Sequence, residues 1–217
     1  MLNMNFAERI VINTSDQTWQ HSPLEGVMRK PLSRGGAESG HATSLVSYAP
    51  GASFKAHTHP GGEEIFVLEG TFSDESGNYG PGSYLRNPPG SRHAPFSQSG
   101  CLLFVKLNHF SPNDNELVRC NTHDAIWRPG HGDLRVLSLH SFKGEHTALV
   151  HWPAGERFVQ HRHFGGEEIL VLSGTFCDEY GEYPKLSWLR NPHLSSHTPF
   201  VREETTILVK TGHLPII

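Results

Sequence analysis

The segment His57-Thr58-His59-Pro60-Gly61-Gly62-Glu63-Glu64 returns 104 residues later as His161-Arg162-His163-Phe164-Gly165-Gly166-Glu167-Glu168. From Thr43 to Lys106 roughly half the positions keep their residue at that offset, with no gap required. Gly-Thr-Phe recurs at 70–72 and 174–176, and Leu-Arg-Asn-Pro at 85–88 and 189–192. Further upstream, Asn13-Thr14 and Trp19 have counterparts in Asn121-Thr122 and Trp127, now at an offset of 108. A chain with self-similarity on this scale is one unit built twice. In a chain of 217 residues each copy is long enough for its own core. The expected division is 1–110 and 111–217.

The punctuation of each copy points to strands. Glu64–Gly70 is apolar, partly β-branched, and stops at glycine. Asp74-Glu75-Ser76-Gly77 is turn chemistry, repeated as Asp178-Glu179-Tyr180-Gly181. Ala42–Tyr48, Ser83–Arg86 and Leu102–Leu107 read as further short strands. The 22 glycines and 15 prolines supply the turns such a fold needs. Only Asp114–Val118 suggests a helical turn. The expected class is all-β, with antiparallel strands closing into small barrels or sandwiches.

The net charge of −4 and the lack of a Lys/Arg cluster exclude a nucleic-acid surface. No apolar stretch approaches membrane-spanning length, and the N-terminus shows no signal pattern. The three cysteines, Cys101, Cys120 and Cys177, form no Cys-x-x-Cys pair. They read as reduced, buried thiols of a cytoplasmic protein.

Residues two apart on a strand share a face, so His57 projects with His59, and His161 with His163. A further histidine follows each pair at a matched distance, His93 and His197. Glu63 and Glu167 complete two sets of three imidazoles and a carboxylate. Such sets suit first-row transition metals. The expected ligands are therefore His57, His59, Glu63 and His93, and His161, His163, Glu167 and His197. Each set would hold one divalent ion: zinc first, with iron, manganese or nickel as alternatives. Arg86 and Arg190 read as structural salt-bridge partners. The Asp74-Glu75 and Asp178-Glu179 pairs read as solvated turn residues.

The run Gly51-x5-His57-x-His59-x3-Glu63-x6-Gly70 resembles the first cupin motif, and Gly82-x5-Pro88-x-Gly90-x2-His93 the second. The wording around Gly-Gly-Glu-Glu-Ile and Gly-Thr-Phe-x-Asp-Glu-x-Gly-x-Tyr is similar to the ChrR-like cupins. That family includes the cupin half of zinc anti-sigma factors and relatives of acetylacetone-cleaving dioxygenases. The resemblance implies two tandem cupin barrels, each a jelly-roll or double-stranded β-helix. It implies a metal-binding regulatory or sensor protein, or an iron-dependent dioxygenase cleaving a carbon–carbon bond of a diketone-like molecule. The implied partner is a small molecule or a regulatory protein, with a homo-oligomer as a further option. The family's sigma-binding His-x3-Cys-x2-Cys motif is not found in residues 1–40. In the second copy Leu186 stands for Gly82 and His193-Leu194 for Pro89-Gly90. The corresponding turns are expected to be built differently there, because glycine alone adopts positive φ cheaply.

Overall fold

The computed structural model describes residues 1–36 and 40–216. Two compact units emerge. One comprises Met1–Met4 with Thr18–Ala125, the other Asn5–Gln17 with Ile126–Ile217. Among the described residues the regular structure is β, apart from a 3-10 turn at Thr14–Asp16. No described helix is long and apolar enough to cross a membrane.

Each unit carries one seven-stranded antiparallel sheet and smaller sheets. In the first unit Cys101–Leu107 lies between Ala42–Tyr48 and Glu63–Gly70. In the second, Thr205–Thr211 lies between Glu145–Trp152 and Glu167–Ser173. Alternation along Glu63–Gly70 sends Ile65 and Val67 into a core with Phe72, Leu85 and Leu103. Ile169 and Val171 join Phe176, Leu189 and Ile207 in the same way. Full burial of each such side chain contributes about 1.5–3 kcal/mol, so these inner faces hold each unit together.

The units differ from the division at 110 and 111. Val118–Asn121, beyond that boundary, pairs with Ser83–Asn87 and so belongs to the first unit. Ile10–Asn13, at the start of the chain, pairs with Ser187–Asn191 of the second. Each copy's lead-in strand thus completes the sheet that holds the other copy's motifs. A repeat in sequence cannot reveal this, because either assignment preserves the offset.

The suggested helical turn at Asp114–Val118 does not form: the backbone is irregular until the strand beginning at Val118. Arg86 takes the Asp114 carboxylate at 2.8 and 3.2 Å. Asp114 Oδ1 also accepts from the Glu116 amide at 3.3 Å. This side chain anchors a turn instead of starting a helix.

The turns at Leu186 and Leu194 also depart from expectation, because they keep the glycine conformation. Leu186 sits at φ 65° against 81° for Gly82, and Leu194 at 59° against 84° for Gly90. The contacts are kept too. The amides of Gly82 and Leu186 donate to Val67 and Val171 at 2.8 Å, and those of Gly90 and Leu194 to His59 and His163 at 2.9 Å. The Thr122 and Thr14 hydroxyls donate to the Gly82 and Leu186 carbonyls at 2.7 and 2.9 Å. These bonds over-determine the turn, so the second unit tolerates leucine strain of about 1 kcal/mol per position. Leu186→Gly and Leu194→Gly are each expected to raise stability by about 1 kcal/mol, read from urea unfolding; a lowered midpoint in both would contradict this.

Candidate metal centres

Strand pairing brings the three histidines of each set together. His57–His59 pairs with Ser91–His93, placing His93 opposite His57. His161 faces His197 in the same way. The ligand atoms of His57, His59 and His93 all lie within 4.8 Å of one another, as do those of His161, His163 and His197. His59 and His93 approach at 2.9 Å between their Nε2 atoms.

The glutamates arrive by parity. Glu63 shares the inward face of its strand with Ile65 and Val67, while Glu64 points to the other side and meets Arg86 at 3.0 Å. Glu63 Oε2 lies 3.5 Å from His59 Nε2 and 3.4 Å from His93 Nε2. Glu167 Oε2 lies 3.5 and 3.6 Å from His163 and His197 Nε2. Glu63 and Glu167 therefore flank two imidazoles each, beside the three-histidine groups.

A supporting layer orients these groups, and the sequence reading missed it. Asn87 lies directly across the sheet from Glu63, and Asn191 from Glu167. Each asparagine Nδ2 donates to the glutamate Oε2 at 2.9 Å. The orientation of each amide is fixed from behind, because its Oδ1 accepts from an arginine: Arg119 at 2.6 Å and Arg9 at 3.0 Å. Asp74 and Asp178 are not solvated turn residues. They are 5% and 4% exposed, and each approaches a histidine Nδ1, of His93 and His197, at 3.5 Å. Such carboxylates set imidazole orientation and basicity. Arg9 also donates to Asp178 at 2.9 Å and to the Tyr183 hydroxyl at 2.6 Å.

The aspartates and asparagines were findable, since both recur at the repeat offset beside residues already singled out. Arg9 and Arg119 were not. Their separation of 110 misses the offset of 108 that relates the flanking strands. Arg86 and Arg190, the arginines that do recur, are fully buried on the opposite face. Arg86 joins Glu64 and Asp114 there, in the structural role expected of it.

These residues fit a metal ion. His57 Nδ1 donates to the Lys55 carbonyl at 2.9 Å and His161 Nδ1 to that of Val159 at 3.0 Å. A carbonyl can only accept, so the proton sits on Nδ1 and the Nε2 lone pair stays available. In the second unit, buried His163 Nε2 and His197 Nε2 have no hydrogen-bond partner, an unfavourable state for apolar surroundings that a cation would relieve. Burial also favours the neutral form of His59, His93, His161 and His163, as ligation requires. It lowers His59 to about 4, with the His57 charge adding to the effect. Burial likewise depresses His93, His161 and His163. Glu63 is shifted up, chiefly by burial. Burial pushes Asp178 up as well, but the nearby His197, the bonds from Tyr183 and the Tyr180 amide, and the Arg9 charge hold it below its usual value.

The histidine shifts fix a pH dependence. A histidine with a depressed folded value favours the folded chain above its unfolded value, and that advantage is lost as pH falls through the folded value. The raised Glu63 works in the opposite direction, but it is one group against four depressed histidines, so the metal-free protein is expected to lose stability from about pH 6.5 towards pH 4. Urea midpoints across that range test this, and a flat profile would contradict it.

Both centres open on cavities. The first is about 90 Å³, with Tyr48, Phe54 and Phe72 on its walls. The second is about 230 Å³, with Trp152, Phe158 and Phe176 at the matching places.

The β-architecture and the paired histidine centres define a tandem cupin. The family model of the ChrR cupin-like domain matches residues 7–111 and 115–215, and the chain belongs to that family. No curated protein matched the chain as a relative. Among solved structures it is similar to a candidate dioxygenase of Nostoc punctiforme, at TM-score 0.80 and 14% identity over 97% of this chain and 85% of that one. The protein Ylba of E. coli follows at 0.74 and 15% over 100% and 95%. The E. coli pirin YhhW, solved in complex with nickel(II), matches at 0.70 and 15% over 97% and 100%. At these identities the likeness shows the fold alone.

Proposed function

We propose that this protein is a metal-dependent oxygenase, of the dioxygenase type, acting on a small oxygen-bearing molecule. The observation that carries the reading is that each histidine set faces a cavity instead of being sealed. Structural metal sites are closed, whereas catalytic ones keep a position open. A bound metal would supply Lewis-acid polarisation and a seat for substrate oxygen. The chain's own residues prepare the site. Lys55 and Val159 carbonyls fix two histidine tautomers. Asn87 and Asn191 hold the glutamates. Aromatic side chains line the space around the reacting groups. The fold-level likeness to the Nostoc protein agrees with this reading.

Membership of the ChrR cupin-like family supports a second reading, in which ligand binding at the same centres governs a protein partner. Oxygen uptake separates the two. Metal-free protein reloaded singly with iron(II), manganese(II), nickel(II) or zinc(II) would be given small diketones and 2-oxo acids. Turnover is expected with a redox-active metal and none with zinc. No uptake in any combination would overturn the oxygenase reading and leave the regulatory one.

A further inference from the structure

The two cavities are built on one plan, and they differ in charge. Equivalent positions follow from strand register. Arg29 pairs with Val46, and Val136 with Val150, the repeat counterpart of Val46. A guanidinium in the first unit thus stands where the second has an isopropyl group. Arg29 lies two residues beyond Val27, a core residue 1% exposed, and so points to the same inner side. It lines the first cavity together with Arg34. Tyr48, Glu63 and Arg29 all line that same space. Arg34 pairs with Ala42, and its counterpart Ser141 pairs with His146. Beyond the metal set, the described residues lining the second cavity include no charged group. There Trp152 replaces Tyr48. Trp152 is 4% exposed, and its indole Nε1 has no hydrogen-bond partner.

We infer that the two centres serve different ligands: the first takes a small molecule bearing a carboxylate, and the second a neutral, largely apolar molecule with an oxygen acceptor. The inference rests on both centres holding metal. A metal ion with three neutral imidazoles and one carboxylate leaves a net positive site in either unit. Arg29 and Arg34 add to that charge only in the first, and a guanidinium matches a carboxylate in both geometry and charge. In the second, a ligand carboxylate would meet aromatic and aliphatic walls with one N–H donor. A charge is costly to bury on those terms, whereas a carbonyl or amide oxygen satisfies the donor.

The test uses full-length protein with one centre at a time. The variant His161→Ala/His163→Ala retains the first centre, and His57→Ala/His59→Ala the second. Each is loaded with cobalt(II), its stoichiometry is measured, and it is then titrated with pyruvate and with the uncharged isostere pyruvamide, read by the cobalt spectrum. The first centre should prefer pyruvate by about tenfold or more, the range expected for a hydrogen bond to a charged group. The second should show no such preference. Arg29→Val should reduce the preference at the first centre to within about twofold, and Val136→Arg should create one at the second, so the inference stays testable if either variant folds poorly. Failure to take up cobalt overturns the metal reading and this inference with it. Cobalt uptake followed by equal selectivity at the two centres, or by a preference that survives Arg29→Val, overturns the inference alone.

Discussion

Replacing His57 and His59 together by alanine is expected to remove metal from the first centre alone, leaving one ion per chain where the two histidine groups would hold two. The substitution takes away two of three imidazoles that sit within 4.8 Å of one another. A single histidine and Glu63 cannot hold a first-row ion against water at ordinary concentrations. The first unit should stay folded, because its core of Ile65, Val67, Phe72, Leu85 and Leu103 does not include these histidines. Elemental analysis gives the stoichiometry, and circular dichroism with urea unfolding gives the fold. Loss of metal with a near-native unfolding midpoint is the result for an open, working site. Collapse of the first unit on losing its ion would mean that the metal supplies folding energy, as in a structural zinc site.

The second large effect lies far along the chain from the residues it disturbs. Arg9→Ala is expected to weaken metal binding at the second centre by about tenfold or more, with the first centre unchanged. Arg9 holds Asn191, which holds Glu167, and it also pairs with Asp178, which approaches His197. Removing it leaves the Asp178 carboxylate, whose side chain is fully buried, without its cation. Breaking a buried pair costs about 3–5 kcal/mol. Because the Arg9 side chain is 29% exposed, water recovers part of this, and a loss of about 2 kcal/mol is expected in the second unit. Chelator competition on the His57→Ala/His59→Ala background isolates that centre. Arg119→Ala should weaken the first centre through Asn87 in the same manner. Equal effects of either arginine on both centres would refute the assignment.

The histidines and their spacing were legible because duplication wrote them twice, and the spacing of the cupin motif then selected Glu63 over Glu64. The strands at Ala42–Tyr48 and Cys101–Leu107 were legible from their apolar runs and the turns that bound them. Asp74 was misread because an Asp-Glu-x-Gly turn is solvated in most settings; only the hairpin that folds it back towards His93 makes it part of the centre. Leu186 and Leu194 misled for a different reason. Local φ preference is worth about 1 kcal/mol, and a turn fastened by several hydrogen bonds outweighs it. Tyr48 and Trp152, which end their strands at the cavity walls, could not be told from ordinary core residues, since both roles demand a large buried ring.

The exchanged lead-in strands bear on how such a chain could have arisen. Cut at the repeat boundary, neither half carries the strand that completes its own sheet. A lone first half, stopped before Val118, would leave the edge at Ser83–Asn87 bare and its asparagine without an arginine behind it. Bare edges recruit strands from other molecules. A single copy framed one strand later needs no such recruit, since the first unit runs from Thr18 to Ala125 and carries its own edge strand at Val118–Asn121.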